Sequence, residues 1–363
     1  MTQHDVLILG SGSLAKSICY SLAATGRTDS TVSVVSRSAS NAAEVCYVAN
    51  VRAVLSGTRL RFQQRLVRRY TVDSISAILR KTRPSVLLNC TSYQSPWEST
   101  RAPSAWTTLI SRVGFGITLP FQSAVAVEAA LAIVQVDSAA LLINACYPDA
   151  VNPLLRALGL PIFCGVGNVT LLAGSIRHAL ELRPADRLRV LAHHRHLRAP
   201  SLPANEALAW YDGRQVSNVS ELLIRQRGTA RAELNAIHGH AAAQLLGGLL
   251  EGTEIHDNLP GPLGLPGGYP VRIVGRRIEL DLPPSISVAE AMDANRGWSE
   301  EDGVYVSADG GVYFTGDGLP EVEPGLPELL SSCHVSEVPK IRSLLTKLRS
   351  TLRRMDPDHY LAP

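Results

Sequence analysis

The stretch Asp5-Val-Leu-Ile-Leu-Gly10-Ser-Gly12-Ser-Leu-Ala15 decides the fold. An unbroken apolar run ending on glycine predicts a short strand buried on both faces, because a strand wetted on one face would alternate. From Ser13 to Ala24 the apolar residues take helical spacing instead. The turn between them reads G-x-G-x-x-A. Gly10 permits the tight turn, Gly12 lets main-chain amides approach a diphosphate at the helix N-terminus, and Ala15 lets helix and strand pack closely. Gly10, Gly12, Ser13, Leu14 and Ala15 are therefore expected to bind a dinucleotide. A lone G-x-G is a weak signal, but this one lies between a strand and a helix, which is the context the motif requires.

Working outward, Thr31–Ser36 and Arg61–Val67 read as further strands, and Ser74–Leu79 as a helix with Asp73 as candidate cap. Ser85–Cys90 is a buried strand, Gln122–Val136 a helix and Ala139–Ala145 a strand. Strands alternating with helices over short turns predict an α/β fold, a Rossmann-type doubly wound parallel sheet with right-handed crossovers. The second strand ends in Val35-Ser36-Arg37-Ser38. A site for NAD usually places a carboxylate there to accept from the ribose 2′-OH. A guanidinium and two hydroxyls suit a 2′-phosphate, so Ser36, Arg37 and Ser38 favour NADP over NAD, with NAD as the alternative. An ordinary solvated loop is the other reading of Arg37. Cys90 and Thr91, where another strand ends, complete the expected cofactor contacts.

Composition narrows the function classes. The 363 residues, 45% hydrophobic and 18% charged, exclude wholesale disorder and suggest about two domains. A net charge of +3 argues against a polyanion binder, and no Arg/aromatic stripe supports nucleic acid as a partner. Residues 1–150 carry 14 Lys/Arg against 8 Asp/Glu, a mildly basic balance that suits a small anionic ligand. Six cysteines without a C-x-x-C pair are expected to be reduced thiols of a cytoplasmic protein. The start, Met-Thr-Gln-His-Asp, has no secretory pattern. Glu128 and Asp137 interrupt the apolar stretch 123–146, so no membrane span is expected there.

Over residues 5–290 the sequence resembles the lactate/malate dehydrogenase superfamily. Cys90-Thr-Ser-Tyr-Gln-Ser-Pro-Trp-Glu98 sits where that family carries its substrate-covering loop, which implicates Tyr93, Trp97 and Arg101 in substrate binding. Leu142–Asn152 resembles the strand ending in Asn-Pro, with Asn144 in the place of the asparagine that contacts nicotinamide ribose and substrate. Gly165-Val-Gly167-Asn168 leads into the family's catalytic helix, and Val190-Leu-Ala-His-His194-Arg-His196 resembles the strand end bearing its catalytic histidine, with His194 in place. Ala241–Leu250 and Gly264–Leu282 resemble the late helix and hairpin. The resemblance implies a dinucleotide-binding domain over 1–147 and an α+β substrate domain over 148–330. The remainder, 331–363, is expected to be a helical extension, because Val338–Met355 places leucines at helical spacing. Val304–Phe314 reads as a hairpin and Gly316–Pro327 as a loop. Superfamily relatives also suggest a homo-oligomer.

Two departures bear on chemistry. The acid that holds the family's histidine would fall near Gly167–Asn168, where there is no carboxylate. Asn168 could orient His194 but cannot stabilise an imidazolium by charge. The arginine that clamps a substrate carboxylate would follow within a turn, where Thr170, Leu171 and Leu172 stand. No such side chain imitates a bidentate guanidinium. The expected function is therefore an NAD(P)H-dependent oxidoreductase, a dehydrogenase or reductase, acting on a C=O or C=N group of a substrate other than a simple 2-hydroxy acid. His194, Asn168 and Asn144 would be its catalytic residues. His193 and His196 could equally belong to an inert loop. In His238-Gly239-His240 either histidine could meet substrate, although small-residue packing explains that helix too. Asp149 reads as a helix cap or as an acid near the nicotinamide. Two alternatives remain open: a catalytically silent dinucleotide-binding scaffold, and an NAD- and metal-dependent lyase or glycosidase. Cys164 and His194 match the metal-using family loosely, and no metal is the expectation.

Overall fold

The computed structural model describes residues 5–183, 186–316 and 330–357. Its N-terminal half runs β1 (Val6–Leu9), α1 (Ser13–Thr25), β2 (Thr31–Ser36), α2 (Ala39–Leu55), β3 (Arg61–Leu66), α3 (Val72–Thr82) and β4 (Val86–Asn89). It continues with α4 (Glu98–Arg101), α5 (Ala105–Val113), α6 (Leu119–Gln135) and β5 (Leu141–Asn144). With β6 (Cys164–Gly165) these strands form a parallel sheet of order β3-β2-β1-β4-β5-β6, the doubly wound arrangement expected from the alternating pattern. Alternate side chains enter two cores on opposite faces. Leu7, Leu9, Leu87 and Leu142 go to one, and Val6, Ile8, Leu88 and Ile143 to the other. That double burial is why these strands are apolar throughout.

Register sets where the chain can meet a ligand. Leu9 pairs with Val35 on one side and Asn89 on the other, and Asn89 pairs with Asn144. The turns after β1, β2, β4 and β5 therefore leave one edge together. One local expectation is corrected, and one helix was not anticipated. Helix α3 is capped by Thr71, which accepts from the Ser74 amide in a capping box, while Asp73 sits in the first turn facing the positive helix end. Helix α2 carries no clean period in the sequence, because exposed Tyr47, Val54 and Leu55 blur its buried stripe.

The second half adds α7 (Pro148–Ala157), α8 (Asn168–Ala179), β7 (Leu188–Leu191), β8 (Leu208–Tyr211), β9 (Arg214–Gln215), α9 (Val219–Leu222), α10 (Ile224–Gly228) and α11 (Arg231–Glu251). It then runs β10 (Ile255–Pro260), β11 (Gly268–Val274), β12 (Arg277–Leu280) and α12 (Val288–Glu301). β7-β8-β9 and β10-β11-β12 are separate antiparallel sheets. Helix α11 lies along α1. The hairpin expected over 304–314 is β13 (Val304–Val306) and β14 (Gly311–Phe314), joined by β15 (Cys333–His334). A division at 330/331 therefore cuts through one sheet. The following α13 (Val338–Leu352) buries Ile341, Leu345, Leu348 and Leu352 in the core of the N-terminal half, against α6 and α5. From 317 onward the expected Gly316–Pro327 loop lies outside the described residues. The stretch Phe115–Gln135 is long and apolar enough to cross a membrane, but 78% of its most apolar window is buried inside the protein.

Candidate functional site

A cavity of about 540 Å³ opens at the sheet edge where β1, β4 and β5 end. One wall is the N-terminus of α1. Gly10 holds φ +112°, and a Cβ there would lie 2.9 Å from the Cys90 carbonyl oxygen, so the β1–α1 turn requires glycine. Gly12 differs: a Cβ there would meet nothing within 4 Å. The protein itself does not demand glycine at 12, and the open space fits a group that approaches the main chain. Gly12 is the cap residue of α1, makes no side-chain cap bond and is followed by no acid in the first turn. The amide dipoles at this end thus face the cavity uncompensated, as a diphosphate requires.

Of the expected cofactor contacts, Gly12, Ser13, Leu14, Arg37, Cys90 and Thr91 line the cavity. Gly10 and Ala15 shape the turn from beneath. Ser36 and Ser38 do not line it. The Ser36 hydroxyl is engaged with Ser11 Oγ at 2.7 Å and accepts from the Ser38 amide, while Ser38 caps α2. Arg37 alone of that trio faces the cavity, its guanidinium carbon 5.8 Å from the Tyr70 ring centroid. Burial raises the Cys90 thiol well above its ordinary range.

The facing wall carries His194, which begins a short turn after β7. Its main-chain amide donates to Asp149 Oδ1 at 3.0 Å, and its Nδ1 donates to Asp302 Oδ2 at 2.9 Å. Tyr147 Oη donates to the same Asp302 oxygen at 2.8 Å. The Phe115 ring lies over the imidazole at 4.9 Å and the Tyr147 ring meets its edge at 5.4 Å. With Nδ1 taken, Nε2 is the free ring nitrogen of a cavity-lining histidine. Burial opposes the imidazolium, but the charge and hydrogen bond of Asp302, with Asp149 behind them, outweigh it and hold the pKa above the ordinary value. For Asp302, burial opposes ionisation, and His194 and the Tyr147 hydroxyl more than compensate, so its carboxyl is held below the usual range.

This geometry corrects two expectations. Asn168 lines the cavity at the start of α8 but makes no bond to His194, whose Nδ1 is already bound to Asp302. Asn144 is fully buried and its amide is spent within the protein. It accepts from Asn89 Nδ2 and the Cys146 amide, and donates to the Cys146 carbonyl and Asn152 Oδ1. It locks the ends of β4 and β5, while Ala145 and Cys146 face the cavity.

The other histidines separate cleanly. His193 is buried, with Nδ1 accepting from the Arg195 amide and Nε2 near Ser299 Oγ, and burial lowers its pKa. His196 accepts from the His193 amide and reaches the Asn205 carbonyl, and burial pushes it down to about 4. Both shape the turn that presents His194. His238 lines the cavity, its Nε2 buried without a partner, pushed down to about 4 by burial, Arg231 and His194. His240 lies instead on the seam between α1 and α11, bonded to Ser21 Oγ and Gln244, and is not in the lining. Tyr93, Trp97 and Arg101 all line the cavity, with Trp97 Nε1 donating to Ser13 Oγ at 3.0 Å. Asp149 sits in the first turn of α7 as the sequence suggests, and spends one oxygen on His194. Cys164 is buried in β6 and absent from the lining, its thiol driven upward by burial. Among the described residues no group of three or more His, Cys, Asp or Glu is placed to hold a metal.

Sequence reasoning missed Asp302, Tyr147, Phe115 and Arg231. Asp302 follows α12 with no motif around it. What brings it to His194 is a close approach of backbones: the Gly116 amide donates to the Asp302 carbonyl at 2.9 Å, and a Cβ at Gly116 would lie 2.3 Å from the Gly303 carbonyl carbon. Arg231 starts α11, lines the cavity and places its guanidinium carbon 5.6 Å from the Trp97 ring, with Arg101 at 5.4 Å from the same ring.

No protein-family profile matches the chain, and no curated protein matches it in sequence. Solved structures match in fold. Lactate dehydrogenase from Cryptosporidium parvum, complexed with lactic acid and β-nicotinamide adenine dinucleotide, superposes with a TM-score of 0.54 at 14% identity, covering 83% of this chain and 96% of that one. Cryptosporidium parvum malate dehydrogenase gives 0.54 at 14% identity, with 83% and 99% covered. Plasmodium falciparum malate dehydrogenase in complex with NADH gives 0.50 at 10%, with 83% and 96% covered. The chain thus has the lactate/malate dehydrogenase-type fold, as the sequence resemblance implies.

Proposed function

We propose that this protein is an NAD(P)H-dependent oxidoreductase that interconverts a C=O or C=N group with its reduced form, using His194 as the proton carrier. The observation that carries the reading is the His194–Asp302 pair, set in the wall of a cavity that also contains the bare N-terminus of α1. Gly12, Ser13 and Leu14 would hold the diphosphate, and a nicotinamide bound here supplies the hydride. His194 Nε2–H would give a proton to the substrate's oxygen or nitrogen as negative charge develops there. By fixing Nδ1–H toward itself, Asp302 would leave Nε2 as the nitrogen that gives and takes the mobile proton, and would stabilise the imidazolium without becoming protonated. In the reverse direction neutral Nε2 accepts the proton. Tyr147 and Asp149 hold the pair in place.

The carboxylate missing near residue 168 would favour a silent binding module. Asp302 supplies that role from elsewhere in the chain and supports catalysis. Leu171 and Leu172 offer no clamp for a small hydroxy acid's carboxylate. Arg101 and Arg231, which both line the cavity beside the Trp97 ring, are the candidates for an acidic group farther from the reacting carbon. Arg37 also lines the cavity and, among the described residues, pairs with no carboxylate, which supports NADP over NAD.

The test is a fluorescence titration with NADPH and NADH side by side, followed by nicotinamide absorbance on a panel of carbonyl and imine substrates. The expected result is binding with turnover that His194→Ala abolishes. Binding of neither nucleotide, or unchanged turnover in that variant, would remove the reading.

A further inference from the structure

The segment Tyr93–Arg101 forms one wall of the cavity and carries Trp97 and Arg101. It is held by the C-terminal end of α13 and the residue that follows it, more than two hundred positions later in the chain. Arg353 makes a two-pronged pair with Glu98, Nε to Oε1 at 2.6 Å and Nη2 to Oε2 at 2.5 Å. Glu98 is only 9% exposed. Arg349 donates to the Tyr93 carbonyl at 2.7 Å and to Gln94 Oε1 at 3.3 Å, and its guanidinium carbon lies 3.8 Å from the Phe121 ring centroid. Gln94 in turn donates to Glu98 Oε2 at 2.9 Å and accepts from Trp106 Nε1 at 3.2 Å. On the opposite side Trp97 is bonded to Ser13 in the first turn of α1.

A planar guanidinium paired bidentately with a shielded carboxylate fixes direction as well as distance. Freed of Arg353, Glu98 would be a sheltered carboxylate that has lost its paired guanidinium, with only the more distant charge of Arg349 left, and would turn toward water, carrying Trp97 and Arg101 with it.

We infer that Arg353 and Arg349 are positioning residues which, acting through Glu98 and Gln94, hold the Tyr93–Arg101 wall against α1 before any ligand enters. The inference rests on reading this cavity as the active site. Arg353 and Arg349 set where Trp97 and Arg101 stand, so the C-terminal helix is a structural part of the site.

The test needs no ligand, so its failure is separable from a failure of the proposed activity. Hydrogen exchange over residues 93–101 and acrylamide quenching of Trp97, isolated by difference against a Trp97→Phe reference, are measured in the full chain. The variants are Arg353→Gln, Glu98→Gln, Arg353→Lys and the swap Glu98→Arg with Arg353→Glu. Exchange in 93–101 should rise about tenfold or more in the two glutamine variants, while peptides within 338–352 stay protected. Lysine, which keeps the charge but loses the fork, should fall between, and the swap should restore protection. If Arg353→Gln fails to fold, the lysine variant and the swap carry the same comparison. Unchanged exchange and quenching in the folded variants would overturn the inference. So would a joint rise of 93–101 and 338–352, because that is loss of the helix itself.

Discussion

The two walls of the cavity are built in opposite ways. The wall at α1 comes from one contiguous stretch, in which strand, turn and helix follow within residues 6–25 and Gly10, Gly12 and Ala15 do separate jobs. The wall at His194 is assembled from segments far apart in sequence: Phe115, Tyr147 with Asp149, His194, and Asp302. A site made by local geometry can be read in a local pattern. A site made by packing keeps its chemistry while its parts come from anywhere in the chain.

The comparison breaks most sharply at the assembled wall. Asp302→Asn should lower turnover by about 10²–10⁴-fold while leaving nucleotide affinity in place, as a lost general-acid partner does. A turnover near wild type would mean the pair is only structural. At the contiguous wall, Gly10→Ala forces a side chain into a φ of +112° and against the Cys90 carbonyl. It should cost about 1–3 kcal/mol of stability and remove nucleotide binding, read by thermal unfolding and fluorescence titration. Arg37→Ser should narrow any preference for NADPH over NADH by about tenfold or more, as loss of a charge-assisted bond predicts. Equal affinities before and after would make Arg37 a solvated loop residue.

The pH dependence follows from the two shifted groups. His194 sits above the ordinary 6.5, so its contribution to stability is complete below that value and is lost as pH rises through its folded pKa. Asp302 sits below the ordinary 3.8, so its contribution is complete above that value and is lost as pH falls through its folded pKa. The difference in Tm between wild type and Asp302→Asn should therefore be largest between pH 3.8 and 6.5 and shrink on the alkaline side. In the same variant the imidazole loses the charge that overcame its burial, so the alkaline limb of carbonyl reduction should move to lower pH. The smallest effect is expected from Asn168→Ala, which should leave that limb where it is, since Asn168 makes no bond to His194. A shift there would restore Asn168 as the orienting group.

Legibility followed the range of the interactions. Five of the six strands of the parallel sheet and the turn at Gly10–Ala15 were evident from residue order, the two-residue β6 was not, and His194 at a strand end came from the family resemblance. Asn144 shows where that stops: a strand-end asparagine can face a ligand or a neighbouring strand, and here Asn89 and Asn152 claim it. Likewise His238 and His240 are two residues apart on one helix, yet only His238 reaches the cavity.

By itself, the amino-acid order determined the doubly wound sheet and the glycine turn where β1 meets α1. These depend on periodicity and on steric limits that act over a few residues. Only the tertiary structure decided that the acid beside His194 is Asp302, that Asn144 is spoken for, and that α13 braces the Trp97 segment. Those contacts join residues far apart in the chain, 55 positions for Asn89 and Asn144, 108 for His194 and Asp302, and 255 for Glu98 and Arg353. No local pattern encodes them, because it is the packing of whole elements that brings such groups within a hydrogen bond's reach.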